Sequence, residues 1–313
     1  MAAPGGNGDV GPVPVVVGPG GVPLGQVVER TEPSSGAVYR LYLPVSFPRP
    51  QDLPVVVSFH GTDGSAPTQM GPSIHDFGGP IWPSLAEQYG FTVIVPHAQF
   101  GLLRLDGSAD WSPCALRRDL GDVQAILSEL EGLGVIGTER YSTGFSSGGA
   151  LAFFAAFADP TLFRAVVLRH AHLGPCTPCG VFSLIDYQLN VVPFSADAVG
   201  PDGDCADGEY LGDGYDWKND ARLKDIRVHV ISGDREGLDV PPRYSYHDNT
   251  QMFFDALVTQ LGYDPDKLTQ QVFPTPAGQD PFANCSLTND PNYPHYCHAQ
   301  DRDLTAEWLF GAR

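Results

Sequence analysis

The hydrophobic positions of this chain follow two rhythms that alternate along it. Residues 27–32 and 37–43 switch between apolar and polar side chains with a period of two, the pattern of a strand with one face in water. Pro33-Ser34-Ser35-Gly36 between them has the composition of a hairpin loop. Residues 53–59 (Leu-Pro-Val-Val-Val-Ser-Phe) and 91–95 (Phe-Thr-Val-Ile-Val) are apolar almost without interruption, as expected of strands buried on both faces. A short helix over 81–89 separates them. Leu116, Leu120, Val123, Ile126, Leu127, Leu130 and Leu133 then recur at helical spacing and predict one long amphipathic helix. Further strands are predicted over 139–145, 163–168, 226–231 and 269–273. Further helices are predicted over 150–157, 249–261 and 304–310, the first of them stopped by Asp159-Pro160.

Strand alternating with helix predicts an α/β protein, with a mostly parallel central sheet and helices on both faces. The rhythm fails between residues 173 and 223, a stretch rich in Gly, Asp and Cys and too long for a plain connection. This insert is expected to cross the carboxyl ends of the strands, where sheets of this kind bind ligands. Residues 1–24 are rich in Gly, Pro and Val and are expected to be a flexible lead-in, leaving 25–313 as a single domain. No apolar run approaches the ~20 residues that span a bilayer.

The candidate chemistry centres on Tyr141-Ser142-Thr143-Gly144-Phe145-Ser146-Ser147-Gly148-Gly149. It contains G-x-S-x-G between a predicted strand and a predicted helix, the context in which a serine stands proud of a sharp turn as a nucleophile. Side chains two positions either side of Ser146 would collide, and both positions are glycine. A serine hydroxyl needs a histidine base oriented by a carboxylate, in the chain order serine, acid, histidine. Ile231-Ser-Gly-Asp-Arg-Glu-Gly-Leu-Asp-Val-Pro241 offers Glu236, three residues after its glycine, Asp239 just before Val-Pro, and Asp234. For the base, His298 is favoured over His295 because it lies closer to the last helix, with Asp303 as that helix's expected N-cap. Cys285 and Cys297 bracket the loop that carries it, so a disulfide between them would hold the base in place. A tetrahedral intermediate needs two backbone N–H donors. Ser147 is expected to supply one, and Thr62, after His60-Gly61, the other. His60 reads as a residue that shapes this loop rather than as the base.

Composition adds a compartment and removes some partners. With 18 Lys+Arg against 37 Asp+Glu the net charge is −19, a field that repels nucleic acid and anionic lipid. Six cysteines (Cys114, Cys176, Cys179, Cys205, Cys285 and Cys297), among 36 Gly and 29 Pro, suggest loops held by disulfides in an oxidising compartment. The N-terminal residues show neither a basic nor an apolar signal region, so the expectation is a secreted or periplasmic protein whose signal has been removed. His170, His172, Cys176 and Cys179 have spacing that would suit zinc, but in such a compartment the cysteines read as disulfides and no metal is expected. The acidic stretch from Asp202 to Asp216 lacks EF-hand spacing and reads as a solvated loop, with calcium binding the alternative. Phe145, Trp82, Trp111 and Tyr210 are aromatic residues that could line a cleft, and Phe145 is the first choice as a neighbour of the nucleophile.

His60-Gly61, the run from Trp82 to Pro96, Trp111, Asp122-Val123 and Gly144-Phe-Ser-Ser-Gly-Gly149 together resemble the secreted α/β-hydrolase esterases of the polyhydroxybutyrate-depolymerase and feruloyl-esterase type. The resemblance covers about residues 50 to 170 and implies the α/β-hydrolase fold, a Ser-acid-His triad and no cofactor. The acid loop departs from that pattern by offering Glu where Asp is usual, and the 173–223 insert has no counterpart in it. The expected activity is hydrolysis of feruloyl, acetyl or polyester-type esters by a monomer, without nucleic-acid or membrane partners. A serine peptidase on the same fold and a non-catalytic binding protein are the competing readings.

Overall fold

The computed structural model describes residues 16–47, 49–61, 81–98, 116–145, 147–171, 220–233, 246–274 and 300–311. Among these residues eight strands form one sheet: β1 (Val27–Thr31), β2 (Val38–Tyr42), β3 (Val55–Phe59), β4 (Thr92–Pro96), β5 (Arg140–Phe145), β6 (Ala165–Arg169), β7 (Arg227–Gly233) and β8 (Leu268–Phe273). Their order is β1-β2-β4-β3-β5-β6-β7-β8. β1 and β2 are antiparallel, β2 meets β4 antiparallel, and the remaining pairs are parallel. The two rhythms of the sequence map onto this order. Alternating β1 occupies an edge with every other residue exposed, while β3, β4 and β6 are buried at every position.

Among the described residues five α-helices cover the two faces: α1 (Ile81–Tyr89), α2 (Leu116–Gly132), α3 (Ser147–Ala158), α4 (Tyr246–Leu261) and α5 (Gln300–Phe310). The apolar side chains of α2, α3 and α4 pack on one face of the sheet, and those of α1 and α5 on the other. α3 is apolar on every side, and Leu151 to Phe157 are all buried, which makes it the central helix of its layer. α4 ends at Gly262, whose φ of 64° suits a residue without a Cβ. The amides of Gly262 and Tyr263 return to the carbonyls of Val258 and Leu257. The Tyr263 hydroxyl then donates to the Leu223 and Ile226 carbonyls, tying the entry to β7 against α4.

Three expectations change. α5 begins at Gln300 rather than Leu304, so Asp303 lies inside the helix and is not its N-cap. Its first turn is Gln-Asp-Arg-Asp, polar residues with no apolar period to mark them. Leu133 falls just beyond α2 and is 44% exposed, whereas Leu120, Val123, Ile126, Leu127 and Leu130 are buried. Residues 16–24 pack rather than trail: Val17 bridges Pro23, the Gly18 amide donates to Val22 O, and the Val22 side chain sits in the core.

Candidate active site

β5 ends at Phe145 and α3 starts at Ser147, so position 146 is the single residue between strand and helix. The glycines around it leave no room for a side chain. A Cβ on Gly144 would lie 2.1 Å from the Gly148 carbonyl oxygen, and one on Gly148 would lie 2.3 Å from His60 O and 2.5 Å from Phe59 O. A Cβ on Gly149 would sit 2.3 Å from the Ala171 Cβ. None of these three is among the described glycines with positive φ, so the requirement is for space rather than for an unusual backbone. The packing presses the end of β3, the β5–α3 turn and the end of β6 together at the carboxyl edge of the sheet. The Ser142 hydroxyl, bonded to Ala152 O at 3.3 Å, fastens β5 to α3 below the turn.

The loop after β3 is set by His60, which is fully buried. Its Nε2 accepts from the Ala98 amide at 3.3 Å, which places the proton on Nδ1, 2.9 Å from Gly61 O. With both ring nitrogens engaged on backbone, His60 shapes the loop and is not placed to act as a base. Gly61 lies against the Phe145 ring: a Cβ there would be 2.7 Å from Phe145 Cδ1. Phe145 therefore packs against Gly61, the residue before Thr62. At the other side of the turn, Ser147 opens α3, and the first amides of a helix have no intrahelical partner and favour negative charge.

No protein-family model matches the chain, and no curated protein is similar to it in sequence. Among solved structures, a thermostable esterase superposes with a TM-score of 0.52 at 17% identity, over 91% of this chain and 61% of its own. A Klebsiella pneumoniae protein assigned as a dienelactone hydrolase gives 0.52 at 16% identity, over 92% of this chain and 99% of its own. An acetyl xylan esterase from Aspergillus awamori gives 0.48 at 18% identity, over 77% and 82%. The chain has the α/β-hydrolase fold. It spans less than two thirds of the thermostable esterase's length.

In an α/β-hydrolase the remaining site residues come from loops at the same carboxyl edge. Ser146, Thr62, Glu236, Asp239, Asp234, His295 and His298 lie outside the described residues, as do Trp111, Tyr210, His172, the 202–216 stretch and all six cysteines. Their anchor points are described. β7 ends at Gly233, directly before Asp234, and α5 starts two residues after His298. Among the described residues no group of three or more His, Cys, Asp or Glu is placed to hold a metal ion. His170, the sequence's candidate zinc neighbour, follows β6 with a φ of 50°, the only positive φ at a described non-glycine residue. It is buried, with its ring 5.9 Å from that of Phe145.

Two residues of this region carried no motif. Arg169 closes β6, paired in register with Phe145 and Ile231, and Arg302 lies in the first turn of α5. Both are 1% exposed. A cation ending the otherwise apolar run Ala-Val-Val-Leu was the one visible signal for Arg169, and nothing in Gln-Asp-Arg-Asp marked Arg302. Burial pushes the Arg302 guanidinium down to about 9, against the opposing field of Asp303, so it remains cationic at neutral pH.

Proposed function

We propose that the chain is a serine carboxylic-ester hydrolase that works through an acyl-enzyme intermediate. One observation carries the reading: backbone packs without side chains around a single residue at a strand-to-helix turn, and that residue is Ser146. Ser146 attacks the ester carbonyl while His298 takes its proton. The tetrahedral oxyanion is held by the Ser147 amide, at the N-terminus of α3, and by the Thr62 amide. His298 returns the proton to the departing alcohol, then activates water to release the acid. A carboxylate of the loop after β7, Glu236 or Asp239, orients the imidazole. The names of the similar structures support ester substrates, and the likeness to the feruloyl-esterase and polyester-depolymerase type suggests aryl, acetyl or polyester acyl groups. The six cysteines support a secreted or periplasmic setting.

Hydrolysis of p-nitrophenyl acetate and butyrate tests this directly. Ser146→Ala is expected to lower kcat by more than ~10³-fold with unchanged circular dichroism, as single deletions of a triad nucleophile do. A fluorophosphonate probe should label the wild type on Ser146 and leave the variant unlabelled. Near-normal turnover in Ser146→Ala would remove the reading.

A further inference from the structure

Four side chains form a series of ring and guanidinium neighbours from the nucleophile turn to the first turn of α5. The Arg169 guanidinium lies 6.0 Å from the Phe145 ring and 5.8 Å from the Trp82 ring. The Arg302 guanidinium lies 5.9 Å from the same Trp82 ring. These separations are within the reach of cation–π attraction, which strengthens where water is excluded. Water is excluded here, since Trp82 is 0% exposed and both arginines 1%. Phe145 directly precedes Ser146 and packs on Gly61 of the oxyanion loop. Arg302 stands in the first turn of α5, four residues after His298. Trp82 is placed for its ring, because its indole N–H is buried with no hydrogen-bond partner among the described residues.

We infer that Phe145, Arg169, Trp82 and Arg302 form a cation–π ladder that fixes the spacing between the nucleophile turn and the base-bearing end of α5, making Arg169, Trp82 and Arg302 positioning residues for ester hydrolysis. The inference rests on the serine-hydrolase reading. Phe145 and Arg169 are already joined by the β5–β6 pairing, and beyond them the ladder crosses between elements that sheet hydrogen bonds do not join: β6 supplies Arg169, α1 supplies Trp82 and α5 supplies Arg302. His298 lies two residues before α5 in the sequence, and a displacement of a catalytic group by near 1 Å is enough to cost about 10²-fold in rate.

The experiment is steady-state hydrolysis of p-nitrophenyl butyrate by Arg302→Met, Arg302→Lys, Arg169→Met and the Arg169→Met/Arg302→Met double variant. Leu309→Ala serves as a control that weakens the packing of α5 elsewhere. Arg302→Met is expected to lose about 10- to 100-fold in kcat with KM within about twofold. Arg302→Lys should recover much of the loss, and the double variant should lose less than the product of the single losses, because one ladder broken twice is broken once. Leu309→Ala should lower thermal stability and leave kcat of the folded enzyme near wild type. If Arg302→Met does not fold, Trp82→Phe and Trp82→Leu decide: the first keeps a ring face and should keep kcat, the second should lose it. The ladder is overturned if Arg302→Met retains kcat, if Leu309→Ala matches its loss, or if the two Trp82 variants behave alike. None of those results touches the proposed activity, which stands or falls with wild-type turnover and Ser146→Ala.

Discussion

At the scale of single residues, the site is defined more by what is missing than by what is present. The atoms a methyl group would strike at Gly144 and Gly148 are backbone carbonyls of the facing turn and of β3, which cannot swing aside. Gly121, on an exposed turn of α2, has nothing within 4 Å of its Cβ position and no positive φ. The same Gly→Ala change should therefore have opposite signs at the two places. Gly148→Ala is expected to cost about 3 kcal/mol or more, the upper end of overpacking, and to abolish activity. Gly121→Ala should stabilise by about 0.5–1 kcal/mol through lower chain entropy and better helix propensity. Urea denaturation of both variants checks the pair, and equal effects would mean that the turn is looser than these contacts imply. Gly144 and Gly148 were legible because they belong to a local motif. Gly61 was read only as part of a loop, since its need for space comes from the Phe145 ring on another strand.

At the scale of elements, the helices and strands were legible wherever one face had to be apolar, and their ends were not. α5 shows why: its first turn points no apolar side chain at the sheet, so periodicity started it four residues late. What seats that helix is a set of contacts no period records. The Trp308 ring of α5 stacks on His229 of β7 at 4.9 Å and 13°, and Arg227 lies over it at 4.7 Å. His229 Nδ1 is also 2.9 Å from Thr269 Oγ1 of β8. Burial lowers the His229 imidazole to about 4, despite an opposing hydrogen bond to the Thr269 backbone. The unfolded chain would protonate this group near pH 6.5. Stability from His229 is therefore complete above about pH 6.5 and is lost as pH falls toward 4, because only the unfolded state takes up the proton across that window. In His229→Gln, the loss of unfolding free energy between pH 7.5 and 4.5 should shrink by up to about 3 kcal/mol. Urea midpoints at the two pH values would show it, and an unchanged pH slope would assign the acid sensitivity to other groups.

At the scale of the whole molecule, alternation of strand and helix was enough to foresee a mostly parallel sheet with helices on both faces. It could not foresee which side chains tie helices on one face to the strand ends, as Arg169 and Arg302 do around Trp82. The base is the hardest to place, because residues 286–296 are mostly polar, include Pro291 and Pro294, and show no strand or helix period. Downstream of His298, the first turn of α5 is tied by Arg302 to Trp82. Upstream, the sequence offers only Cys297, directly before His298, and Cys285 to pair with it. A base gripped on both sides can stay within the ~3 Å of the serine oxygen that proton transfer requires, whereas one gripped only by α5 could swing. A bridge closing so short a loop would stabilise the fold by up to about 3 kcal/mol, and its larger effect would be on geometry. Gentle reduction should therefore lower kcat and the melting temperature together, with Cys297→Ser alone reproducing much of both losses. Non-reducing peptide mapping identifies the bridge, and free thiols at Cys285 and Cys297, or either one bonded elsewhere, would overturn this account of how the base is held.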